Sequence, residues 1–195
     1  MNIEHEIILQ IHDSIEVKDN ILQSADLVKT IALAGEEMVD AFRRGNKVIL
    51  CGNGGSATDA LHIEAELVGR FKLNRKALPA LAVVGSPATM TSISNDFGYE
   101  EVFERQIEGF GREGDVLIAI STSGNSKNVC KAIKKANELG MHTISLTGNG
   151  GGQCKEMSQI DICVPSSDTP RIQECHIMIG HILCDVVERK LFEEK

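Results

Sequence analysis

A chain of 195 residues with 42% hydrophobic and 25% charged side chains suits one sizeable core and is short for two. Its formal charge of −8 argues against nucleic acid as a direct ligand, because a phosphate backbone needs a basic face. No apolar run approaches the ~18–20 residues of a membrane span, and MNIEHEIILQ lacks the basic start and cleavage site of a secretory signal, so a cytoplasmic protein with no membrane partner is expected.

Ile7, Ile8, Ile11 and Ile15 form a helical stripe up to about residue 18. Leu27, Ile31, Ala34, Met38 and Phe42 form a second over residues 22–44, ended by Gly45-Asn46. Both helices precede the first strand, so they cannot be crossovers within a sheet. They cover one face or reach outward to another subunit. Val48–Cys51 is the continuous apolar run of a strand covered on both sides. Gly52, Gly54 and Gly55 then let the chain turn sharply, Ser56 stands as N-cap, and a helix runs over residues 57–69.

Residues 79–84 (PALAVV) predict a second strand, with helical segments near 88–95 and 99–110 on either side of Asn95-Asp96-Phe97-Gly98. Residues 115–120 (DVLIAI), 142–146 and 160–164 predict three more strands. A helix over about 126–139 follows the third strand, and a glycine-rich turn at 147–152 follows the fourth. The last helix starts near Asp168–Thr169, with Pro170 early in it, and ends near Leu191. Apolar strands alternating with helices mean an α/β fold: a five-stranded parallel sheet flanked by helices on both faces. The whole chain reads as one domain, with N-terminal helices over about 1–45 suited to oligomerisation and a sheet-containing core over 46–195.

Ligands in such sheets bind beyond the carboxyl ends of the strands. Gly52-Asn53-Gly54-Gly55-Ser56-Ala57 fits a dinucleotide fingerprint, but the next strand ends in Val84-Gly85-Ser86 without the carboxylate that holds a ribose. No G-K-[ST] follows the glycines either, so this is no Walker A loop. What remains is an anion site, most simply for phosphate, at a helix N-terminus. Ser121-Thr122-Ser123-Gly124-Asn125-Ser126 puts four hydroxyls before another helix, more than capping requires. Uncharged donors suit a phosphate that must leave.

His62 and Glu66 are four residues apart, on one face of their helix; by itself the spacing fits a surface His–Glu pair, and it can also place an imidazole and a carboxylate on one divalent ion. Ser56 to His62 is about 9 Å of helix rise, roughly the reach of a sugar between its phosphate and its carbonyl end. On the last helix Gln173 and His181 lie within ~80° of each other around the axis, in an apolar stretch where polar groups need partners. A satisfied core histidine is the competing reading for His181 and especially for His176; His5, His12 and His142 read as structural or exposed. The six cysteines contain no C-x-x-C pair and read as small buried hydrophobes of a reducing compartment.

GNGGSA after a strand, ISTSGNS after a later strand and RIQECHIMIGH on the last helix together resemble the sugar isomerase (SIS) domain family and, within it, the phosphoheptose isomerases. The resemblance spans about residues 22–190. It implies interconversion of D-sedoheptulose 7-phosphate and D-glycero-D-manno-heptose 7-phosphate, the entry to heptose for lipopolysaccharide or related surface glycans. It also implies a homotetramer with sites at subunit interfaces and one zinc per subunit. Carried onto this sequence, the metal ligands are His62, Glu66, Gln173 and His181, with Glu66 and His181 as acid/base pair. Ser56, Ser121, Thr122, Ser123 and Ser126 match phosphate and sugar contacts, and Asn53, Gly54, Gly55, Asn95, Asp96, Glu66 and Gln173 match further substrate contacts. The chemistry suits these residues, since an enediol route needs one group to move a carbon-bound proton and another for the oxygen protons. An amide ligand is unusual for a tight structural zinc and suggests a labile, substrate-adjacent one.

Three rivals share the fold. The DnaA initiator-associating protein is a non-catalytic tetrameric adaptor, which the resemblance distinguishes by its missing carboxylate at the position of Glu66. Five-carbon phosphosugar isomerases usually carry regulatory domains for which this chain has no room. Sugar-sensing regulators need a basic DNA-binding helix-turn-helix region, which is missing here.

Overall fold

The computed structural model describes residues 2–193. Two helices come first, α1 (Ile3–Gln23) and α2 (Ala25–Arg44), followed by β1 (Val48–Gly52) and α3 (Gly55–Val68). The chain continues with β2 (Ala80–Ala82), α4 (Pro87–Phe97), α5 (Glu104–Phe110), β3 (Val116–Ser121) and α6 (Lys127–Glu138). It ends with β4 (His142–Thr147), α7 (Gly152–Met157), β5 (Ile160–Cys163) and α8 (Thr169–Phe192). The five strands form one parallel sheet in the order β2-β1-β3-β4-β5.

Side chains alternate across this sheet with the period of two that a strand imposes. Val48, Leu50, Val116, Ile118 and Ile120 face a core completed by α2, α3 and α8, with the last turns of α1. Ile49, Cys51, Leu117 and Ala119 face a second core under α5, α6 and α7. Helices therefore cover both faces, as the apolar strands require. The amphipathic α2 buries Ile31, Ala34, Met38 and Val39 and ends at Gly45, whose φ of 85° suits glycine. α1 behaves differently: only Val17 and Ile21 are buried, and its isoleucine stripe faces outward. Of the six cysteines, all unpaired, five are buried, and burial pushes the thiols of Cys51 and Cys184 up to about 12.

Four sequence expectations need correction. α3 begins at Gly55 rather than after Ser56, with Gly54 at the cap position and no side-chain cap, because the positive φ of Gly54 (55°) turns the chain one residue earlier. β2 is shorter than residues 79–84, since it is an edge strand paired only with β1. The helix expected over 99–110 breaks into a 3₁₀ turn at Tyr99–Glu101 and α5. α7 was hidden inside a turn signal, where positive φ at Gly150, Gly151 and Gly152 leads into one short helix.

Candidate functional site

The order 2-1-3-4-5 reverses direction between β1 and β3, and the crevice beyond their carboxyl ends is where such sheets bind ligands. Register pairs Gly52 with Ile120, so the turns after β1 and β3 leave the sheet at one level. Each leads into a helix, α3 and α6, whose N-terminus has no side-chain cap bond. Two uncapped N-termini side by side present N–H groups and partial positive charge to one place.

The first turn is shaped by close approach. A Cβ on Gly52 would lie 2.7 Å from the Ser56 carbonyl oxygen, which only glycine avoids. Ser56 itself is buried in the first turn of α3. The Asn53 and Asn128 amides donate to each other, both at 2.9 Å, and Tyr99 Oη donates to Asn53 Oδ1 at 2.8 Å. This network ties the first turn to α6 and to the segment carrying Asn95 and Asp96. Those two residues are exposed at the end of α4, with Asn95 donating to Asp96 at 2.9 Å. Tyr99 and Asn128 were missed by sequence reasoning; the one visible signal was that Tyr99 is the sole tyrosine.

The second turn is held from below. Ser121 Oγ donates to Ser126 Oγ at 3.0 Å, and the Asn125 N–H donates to Ser123 Oγ at 3.2 Å. Gly124 has φ 65°, and a Cβ there would meet the Gly151 carbonyl at 1.8 Å. The Cys154 N–H donates to the Gly124 carbonyl at 2.9 Å, so α7 is the floor of this turn. Ser121 is buried, Thr122 and Ser126 are half-buried, and Ser123 is exposed.

Further along α3 stands the titratable cluster. His62 Nε2 lies 3.1 Å from Glu66 Oε1, and His181 Nε2 lies 3.3 Å from His62 Nε2. The ligand atoms of all three residues fall within 4.8 Å of one another. The helices approach closely because Gly180 faces Ile63, where a Cβ would come within 2.7 Å of Ile63 Cδ1. One turn before His62, Asp59 keeps a buried Oδ2 without a hydrogen-bond partner, and burial pushes its carboxyl up to about 6 against the pull of His62.

Three of the four expected metal ligands are thus together. The amide of the fourth, Gln173, packs on Gly55, where a Cβ would lie 2.5 Å from Gln173 Nε2. Along α8 it stands about 12 Å from His181, eight residues at helical rise. His176 takes the structural role, fully buried, with Nε2 donating to the Thr147 carbonyl at 2.9 Å.

Comparison with known proteins places this arrangement. The SIS domain family matches residues 15–148. A phosphoheptose isomerase from Clostridium acetobutylicum is 54% identical over 186 residues, covering 95% of each chain. The structure of a phosphoheptose isomerase from Francisella tularensis superposes with a TM-score of 0.93 at 36% identity, covering 97% of this chain and 100% of that one. The corresponding Neisseria gonorrhoeae structure gives 0.90 at 38% identity, covering 96% and 99%.

Proposed function

The chain belongs to the phosphoheptose isomerases of the SIS domain family, and on that premise we propose how its residues divide the isomerisation of sedoheptulose 7-phosphate. The observation that carries the reading is the His62–Glu66–His181 cluster, with His62 and Glu66 on α3, the helix whose uncapped start lies in the crevice, and His181 reaching them from α8. The substrate phosphate sits over the N-termini of α3 and α6, contacted by Gly54, Gly55, Ser56 and the hydroxyls of Ser121, Thr122, Ser123 and Ser126. The sugar then runs along α3 past Asn53, with Asn95 and Asp96 closing from α4. Glu66 takes the proton from C1 of the ketose and returns it to C2, while His181 moves the hydroxyl proton from O1 to O2. The product is D-glycero-D-manno-heptose 7-phosphate, a precursor for heptose in lipopolysaccharide or another surface glycan.

The cluster also fits a zinc ion. Two imidazoles and a carboxylate with ligand atoms within 4.8 Å form the donor set of a catalytic site that keeps a position open. When bound, zinc supplies a Lewis acid for the carbonyl oxygen. To serve as fourth ligand, Gln173 must lift its amide from Gly55 and turn along α8; in its present place it is a contact of the glycine turn.

The outward isoleucines of α1 support a homotetramer, and six unpaired cysteines suit the cytoplasm. No helix among the described residues is long and apolar enough to cross a membrane. The adaptor reading loses ground because Glu66 is present and lies against His62.

The test is isomerisation of sedoheptulose 7-phosphate by purified protein, before and after chelation and with zinc restored. Turnover lost to the chelator and recovered with zinc is the expected result. Turnover indifferent to chelation removes zinc from the reading, and no turnover from a folded protein returns the adaptor.

A further inference from the structure

The loop between α3 and β2 is tied down by a carboxylate that sequence patterning had left unassigned. Glu188 on α8 is almost completely buried. One oxygen accepts the Phe71 N–H at 2.8 Å, and the other accepts the N–H groups of Lys72 at 2.8 Å and Leu73 at 2.9 Å. Arg75 Nε donates to it at 2.9 Å, and the same guanidinium reaches the carbonyls of Glu66 at 2.8 Å and Leu67 at 2.7 Å at the end of α3. Burial pushes the Glu188 carboxyl up, yet the Leu73, Lys72 and Phe71 amides and Arg75 outweigh it and hold the group below the usual carboxylate range. A buried charge is costly unless paired and hydrogen-bonded, and this one is satisfied on each side by the loop.

The consequence lies in what the loop carries. Phe71 stacks on the ring of His181, with centroids 5.5 Å apart and planes at 29°. His181 in turn meets His62 edge-on, with centroids 4.9 Å apart and planes at 69°. The Lys72 ammonium lies 5.2 Å from the Phe71 centroid and pairs with Asp185 of α8 at 2.9 Å, a second tether on the same ring. Glu188 stands two turns beyond His181 on one face of α8. One helix therefore holds both the imidazole and the anchor of the ring that flanks it.

We infer that Phe71 is a positioning residue for His181, and that the buried Glu188 clamp holds it in place. The stack restricts rotation of the imidazole and keeps Nε2 aimed at His62 and Glu66. This inference rests on the reading of His181 as a working group of the cluster. Groups that orient a metal-ligating histidine typically affect metal affinity or activity by about 10–100-fold when removed.

The experiment compares Phe71→Leu, Phe71→Tyr, Glu188→Gln and His181→Gln. Zinc affinity is read by competition with a chromophoric chelator, alongside kcat, KM and melting temperature. Phe71→Leu is expected to weaken zinc binding and lower kcat by about 10-fold each, with KM nearly unchanged. Phe71→Tyr restores both, and Glu188→Gln moves both in the direction of Phe71→Leu. If Phe71→Leu lowers only the melting temperature, Phe71 is packing alone and the inference falls. His181→Gln separates the two levels: an active, zinc-binding His181→Gln protein refutes the role of His181 itself. A dead His181→Gln beside a normal Phe71→Leu refutes only the positioning.

Discussion

His176 sets a measurable limit on acid stability. It lies on α8 between Gln173 and His181, fully buried, and pins that helix to the carboxyl end of β4 through Thr147. Its Nε2–H is used, whereas Nδ1 is buried without a partner. Protonation would place a charge and an unmatched N–H in that spot, and desolvation accordingly lowers the histidine to about 4, against a partial offset from the Thr147 carbonyl. An unfolded chain takes up this proton near its ordinary value of 6.5, the native protein only near 4. Unfolding therefore takes up a proton between those values, and stability falls as pH drops through that window. The slope is about 1.4 kcal/mol per pH unit, which gives about 3 kcal/mol over the window and about 2 kcal/mol between pH 6.5 and 5. His176→Gln keeps a donor for Thr147 but cannot titrate. Urea unfolding of both proteins at pH 7, 6 and 5 should show wild type losing about 2 kcal/mol more than the variant. Parallel pH dependences would refute the assignment of a neutral, trapped imidazole.

Glu66→Gln should lower kcat by about 10²–10⁴-fold, the usual contribution of a general base, while the melting temperature barely changes, because the carboxylate's hydrogen-bond contact is with His62; an isomerase assay beside thermal unfolding checks both. Gly55→Ala should leave stability nearly unchanged, since at the first position of α3 alanine gains only part of the ~1 kcal/mol it holds over glycine in a helix interior. Its new Cβ would displace the Gln173 amide, which lies 2.5 Å from that position, and kcat/KM should fall by roughly tenfold. Normal turnover in Gly55→Ala would show that the placement of Gln173 is irrelevant to the reaction.

Sequence carried the two turns well, because their chemistry is local. Glycine at 52, 54 and 124 answers steric demands that a short window already displays, and hydroxyls before a helix have few other uses. His62 and Glu66 were legible for the same reason, since helical spacing alone puts them together. For Gln173 the angle around the helix follows from residue number, but its contact with Gly55 depends on which part of α3 the amide meets. Glu188, in the segment VVERK, carries no local signal that marks it out. Its burial follows from residues 71–75 folding back more than a hundred positions away in the chain, which no local pattern encodes. Tyr99 and Asn53 join across 46 positions, again beyond the reach of a local pattern.

The outward face of α1 has a consequence for the chain's motions. Ile3, Ile7, Ile8, Ile11 and Ile15 are each more than half exposed, and the first buried side chain of that helix is Val17. Tertiary packing, rather than intrinsic propensity, supplies most helical stability in proteins. In a lone chain the amides of the first two turns, ahead of the Arg171 bond to the Gln10 carbonyl, are therefore expected to open by fraying and to exchange hydrogen with solvent much faster than those of the core. Slow exchange there, at concentrations where α6 and the central strands are protected, would register a covering surface before any assembly was sized.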